Sequence, residues 1–154
     1  MAFRPAEMSF QKGLRALEAR RYLEGLAYFE SALNLEERMG ISSAGRVRYL
    51  SYYGLALSLA AGRTEDAIEM CKRAVAVEFY NPDLYLNLAR VYLSAGELRK
   101  AHRATVRGLH LEGRHPGLLA IRKRMGMRRR PAFTFLPRRH VLNRLTGKLA
   151  TRLR

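Results

Sequence analysis

The stretches Gly62-Arg63-Thr64-Glu65-Asp66-Ala67-Ile68-Glu69-Met70-Cys71-Lys72-Arg73-Ala74 and Gly96-Glu97-Leu98-Arg99-Lys100-Ala101-His102-Arg103-Ala104-Thr105-Val106-Arg107-Gly108-Leu109 follow one plan. Gly62 to Gly96 spans 34 residues, and so does Ala67 to Ala101. An earlier copy, Tyr22-Leu23-Glu24-Gly25-Leu26-Ala27-Tyr28-Phe29-Glu30-Ser31-Ala32-Leu33, puts Gly25 42 residues before Ala67, one period plus eight. Self-similarity at such a period marks stacked helix pairs, none of which can bury its apolar face alone. Small residues at the repeated Gly and Ala positions let the helices of a pair approach closely. Large residues such as Phe29 and Tyr92 fill the space between pairs.

Working outward, the pattern predicts helices over roughly 5–19, 22–38, 44–61, 64–79, 82–95 and 97–111. Pro5 and Pro82 suit first-turn positions, where a missing N–H costs nothing. Thr64 is the expected N-cap of its helix, with Glu65 and Asp66 favourable in the first turn. The eight additional residues fall around 39–45 and lengthen that connection. Repeats cover 6–38, 45–80 and 82–115. A short helix over 116–126, with Leu118, Ile121 and Met125 on one side, caps the stack, giving a body of residues 1–126. Beyond it, Pro131 interrupts, 132–137 reads as extended, and 138–153 has helical period. Leu142, Leu145, Leu149 and Leu153 share one face of that last segment, so 127–154 reads as a basic tail with an amphipathic helix.

The period and the packing residues resemble the tetratricopeptide repeat family. The third copy carries the resemblance on Leu88, Ala89, Tyr92, Gly96, Leu98, Ala101 and Leu109. The second does so on Gly54, Leu57, Gly62, Ala67, Cys71 and Ala74, and the first on Gly13, Tyr22, Gly25, Phe29 and Ala32. The resemblance implies an all-α, right-handed superhelix of three helix pairs, a capping helix and a basic, partly ordered tail. It also implies a concave wall built by the first helix of each pair. Repeat position assigns Phe10, Leu14, Arg48, Ser51, Tyr52, Leu55, Leu86 and Arg90 to that wall. A carboxylate clamp known in the family uses Lys, Asn and Arg. Phe10 and Leu14 stand here where Lys and Asn are expected, which argues against that clamp. The stretched first connection, residues 50–57, 86–93 and 128–131, and Leu142-Asn143-Arg144-Leu145 resemble a group of short bacterial tetratricopeptide proteins with an Arg-rich C-terminal tail. That likeness brings no activity with it.

Charge is unevenly placed. The chain has 154 residues, 29 Lys plus Arg, 13 Asp plus Glu, and a net charge of +16. Residues 114–154 hold 13 of the cations and no Asp or Glu, so residues 1–113 are nearly neutral and the C-terminal stretch is basic. A hydrophobic content of 48% is that of a folded domain. A single cysteine excludes an internal disulfide. No secretory leader is visible before Gly13, and the longest uncharged apolar run, residues 49–62, is shorter than the roughly 20 residues a membrane helix needs. A cytoplasmic location is expected.

Catalytic chemistry finds no motif. No Gly-rich loop precedes a phosphate-binding Lys, and His102, His110, His115 and His140 have no metal-ligand spacing with Cys71 or one another. The chain is therefore expected not to be an enzyme and to need no cofactor. The expected function is a protein–protein interaction module or adaptor that takes a peptide or helical segment in the concave groove. Its tail (Arg128, Arg129, Arg130, Arg138, Arg139, Arg144, Lys148, Arg152) would tune that contact or reach an acidic surface. The alternatives are a secretion-type chaperone and a nucleic-acid-associated adaptor acting through the tail, where Phe133 and Phe135 could stack on bases. An anionic membrane surface, a second copy of the chain, or the protein's own groove are further destinations for the tail.

Overall fold

Helices built from the repeated pattern account for nearly all of the chain that the structure describes. In the computed structural model the described residues are 5–38 and 45–126. They form α1 (Pro5–Glu18), α2 (Tyr22–Arg38), α3 (Gly45–Ala61), α4 (Thr64–Val77), α5 (Pro82–Ser94), α6 (Leu98–Leu111) and α7 (Pro116–Arg124). No strand occurs among the described residues. The connection at residues 39–44 and the tail 127–154, with its expected amphipathic helix and its arginines, lie outside them.

Each helix packs on the next. In addition α1 touches α3, α3 touches α5 and α5 touches α7, whereas α2, α4 and α6 do not touch one another. That asymmetry makes the odd-numbered helices an inner layer and the even-numbered ones an outer, splayed layer. The result is an all-α helical-repeat superhelix.

Local chemistry explains the helix ends. Asn81 caps α5 by accepting from the Asp83 N–H at 3.1 Å, with Pro82 next to it. His115 caps α7 in the same way, its Nδ1 accepting from the Leu118 N–H at 3.3 Å, again before a proline. At the other end, α1 and α5 close alike: Arg21 N bonds Ala16 O and Arg20 N bonds Leu17 O, as Glu97 N bonds Tyr92 O and Gly96 N bonds Leu93 O. This closure needs a left-handed residue. Gly62 and Gly96 supply it at φ 66° and 73° in two repeats, but the first repeat puts Arg20 there at φ 59°. An L-residue in that conformation costs about 1–2 kcal/mol.

Thr64 departs from its expected role. It is the first helical residue of α4, Arg63 stands at the N-cap without a side-chain capping bond, and the Thr64 N–H is taken by Gly62 O. Arg63 instead reaches forward to Asp66. The same helix ends at Val77, short of the expected 79, which leaves Phe79 and Tyr80 exposed in the turn.

The core has two parts. One is aromatic and joins α1, α2 and α3: Phe10, Phe29 and Tyr49 are buried with Ala6, Ala32 and Ala56. Phe29 fits because Gly13 faces it; a Cβ there would lie 2.6 Å from the ring. The second part runs from Leu55, Ala67 and Cys71 through α5 and α6 to Leu118 and Ile121 of α7. Cys71 is wholly buried, and burial pushes its thiol up to about 12, against a hydrogen bond to Ser51 O. It is a small core residue rather than a nucleophile.

Candidate functional site

The inner wall is the surface that the odd-numbered helices present together. Two polar rungs tie α3 to α5: Asn87 Nδ2 donates to Ser51 Oγ at 3.2 Å, and Ser58 Oγ meets Ser94 Oγ. Both rungs join residues 36 apart, so the two helices run parallel and in register. Asn87 Oδ1 is buried without a hydrogen-bond partner among the described residues.

A second polar cluster joins α1 to α3. Glu7 Oε2 accepts from Tyr49 Oη at 2.7 Å and from Arg48 Nη2 at 3.1 Å, and Gln11 Nε2 donates to Glu7 Oε1. The Arg48 guanidinium lies over the Phe10 ring, 5.1 Å from its centroid. Partial burial pushes the Glu7 carboxyl up, but the bonds from Gln11 and Tyr49 and the Arg48 cation outweigh it and hold it below 4.5. Tyr49 is raised from its ordinary value by burial and by the Glu7 carboxylate.

A carboxyl depressed on folding contributes stability above its unfolded value and loses it as pH falls through its folded value. The Glu7 contribution should therefore be present at neutral pH and be lost on acidification through its lowered folded-state value. We expect Glu7→Gln to lower the melting temperature at pH 7, with the gap from the parent protein closing as the pH falls below the usual carboxylate range. A gap that stays constant across the titration would show that the pairing carries no pH-linked stability.

The eight residues assigned to the wall divide by burial. Phe10, Ser51, Leu55 and Leu86 are buried, so they build the wall rather than face solvent. Phe10 turns into the ring cluster with Phe29, Tyr49 and Tyr52. Ser51 lies beneath Asn87, and Leu86 is covered by Gly117 at the start of α7. Leu14, Arg48 and Tyr52 are half-buried and Arg90 is exposed. The Tyr52 ring stands edge-on to Phe10 at 5.3 Å. Its phenol is raised by burial and by Asp83, while Arg90, Asn87 and Arg48 act the other way, so its hydroxyl end lies amid the α5 polar groups.

Sequence reasoning missed Glu7, Asn87 and His115. Glu7 is one scattered acid in a terminal segment, with no local signal that it meets Arg48 across 41 residues. Asn87 stands in the Leu-Asn-Leu run of a buried helix, where an amide is itself the signal. His115 opens the stretch expected to form the capping helix, and the signal for its capping role is the His-Pro step before an apolar helix, which resembles Asn81-Pro82. Besides capping α7, its Nε2 lies 3.0 Å from Asp83 Oδ1, tying α7 to α5.

The arrangement offers shape, two arginines and a phenol. No group of three or more His, Cys, Asp or Glu among the described residues is placed to hold a metal ion. No described helix is long and apolar enough to cross a membrane.

Comparison with known proteins agrees with this geometry. Residues 58–116 match the sequence model of the tetratricopeptide repeat family. The fold is similar to the Arabidopsis OM64 TPR domain, at a TM-score of 0.61 and 18% identity, over 79% of this chain and 93% of that one. It is also similar to PcrH in complex with the chaperone binding region of PopB, at 0.58 and 18%, over 82% of this chain and 95% of that one. No curated protein sequence matches the chain.

Proposed function

We propose that this tetratricopeptide-type superhelix is a non-catalytic, cytoplasmic protein-interaction module that takes an extended or helical segment of another protein along its inner wall. What supports the reading is that α1, α3 and α5 carry Leu14, Arg48 and Tyr52, each half-buried, and Arg90, exposed. An apolar patch, an aromatic ring and two cations in line suit a segment with apolar and acidic side chains. Tyr and Arg are the residue types that dominate interface energies. Arg90 is the freest of the four, being exposed and without an ion pair among the described residues. The likeness to PcrH supports the reading, because that structure is a complex with a segment of another protein.

The test is binding of extended and amphipathic peptides to the full chain, followed by fluorescence anisotropy. Arg90→Glu should weaken acidic binders by about tenfold or more, since a hot-spot contact is lost and a like charge is introduced. Arg103→Glu, on the outer layer, should leave them unchanged. Equal loss in both variants would move the site off the inner wall. The secretion-chaperone reading rests on the same surface. It predicts that the captured segment belongs to a client that aggregates when the module is absent.

A further inference from the structure

We propose that the outer face of α6 is a docking surface for the phosphate backbone of duplex nucleic acid. The inference concerns a different surface from the inner wall and does not depend on it. It starts from a comparison within the molecule. α2, α4 and α6 are structurally equivalent outer helices, so solubility asks the same of each. Yet α2 carries four Glu and one Arg, α4 three acids and two bases, and α6 four bases and no acid. From Leu98 to Gly126 the lone acidic residue is Glu112.

The cations of α6 are ordered. Its buried face is Ala101, Ala104, Thr105 and Gly108. Arg99, Arg103 and Arg107 follow one another at four-residue intervals away from that face, about 6 Å apart along the axis, and all three are exposed. None makes an ion pair among the described residues, whereas Lys100 beside them is held by Glu97. Like charges one turn apart weaken a helix, so the row gains nothing from the fold itself.

The chemistry of the face selects the ligand. Arginine forms paired hydrogen bonds to phosphate oxygens. The row is exposed and evenly spaced, and so suits a polyanion that is itself a regular surface. The exposed apolar residues of α6, Leu98 and Leu111, stand at its two ends, and no Phe or Tyr ring is exposed along it. It therefore lacks the stacking platform of a single-strand binder and the apolar wedge of a membrane-surface helix. A second copy could offer the acidic α2, but two chains of net charge +16 repel one another.

The experiment measures binding of the full chain to a short labelled duplex across a salt series, for the parent and for Arg99→Gln/Arg103→Gln/Arg107→Gln. Glutamine keeps helix propensity, and circular dichroism checks the fold. The expected result is a slope of log affinity against log salt that is less steep by about 2.7, the loss of three phosphate contacts. Lys72→Gln/Arg73→Gln on α4, and Arg90→Glu on the inner wall, should keep the parent slope. A triple variant with the parent slope overturns the proposal, since the duplex is then bound elsewhere on the chain. So does an absence of duplex binding. Stronger α6-dependent binding to polyglutamate or phosphatidylserine vesicles also overturns it. So does self-association that is lost in the triple variant while duplex binding is unchanged.

Discussion

Phe29→Ala should unravel the first repeat while leaving the last one folded. The Phe29 side chain has no exposed surface and packs with Phe10 and Tyr52. Removing a buried ring leaves a cavity and typically costs about 3–5 kcal/mol. That is a large share of the roughly 5–15 kcal/mol that holds a domain together. Collapse of the site is limited because Gly13 offers no side chain to fill the space. The loss is also local: among the described helices, α1 and α2 reach the others only through α3. Stability in stacked repeats is close to a sum of nearest-neighbour terms. Hydrogen exchange should therefore lose protection over α1 and α2 first, with α5 and α6 still protected. Uniform loss across all the described helices would contradict the two-part core.

Leu118→Ala should do the same from the other end. Leu118 is fully buried in the second core, and its methyls occupy the space that Gly108 leaves free on α6. The expected cost is about 2–5 kcal/mol. Among the described helices α7 touches only α5 and α6, so it should detach first and expose Leu86, Leu88 and Ala104. Binding of a hydrophobic dye at temperatures where the parent binds none would report this. Loss of α1 protection in this variant would mean that the repeats unfold as one unit.

How much could be read in advance follows from what spacing encodes. The 34-residue period places small residues where helices cross, and the helices end within about two residues of where the pattern puts them, the usual uncertainty of a frayed terminus. Spacing cannot say which side chains of an inner helix remain open. Phe10 is drawn inward by Phe29 and Tyr49, Ser51 is roofed by Asn87, and Leu86 is covered once α7 folds over it. Each burial depends on a partner in another helix, distant in sequence. The capping error at Thr64 is of another kind. Thr is a good cap by type, but the left-handed Gly62 two steps earlier shifts the helix start so that Thr64 is already inside it. Arg20 shows the converse, since the turn geometry persists although the favoured glycine is missing.

The charge that dominates the composition also changes meaning. A net +16 reads at first as a property of the tail. The described helices show the imbalance beginning earlier, on α6, while α2 remains acidic. The two proposals accordingly fall on opposite layers, a protein segment on the inner wall and phosphate on the outer basic row.

The central claim is that the inner wall is the protein-binding surface. Its most direct test is hydrogen exchange on the full chain with and without a bound acidic peptide. New protection is expected on α3 from Arg48 to Tyr52 and on α5 from Asp83 to Arg90, with α6 unchanged. Protection confined to α6, or to the turn at Phe79 and Tyr80, would contradict it.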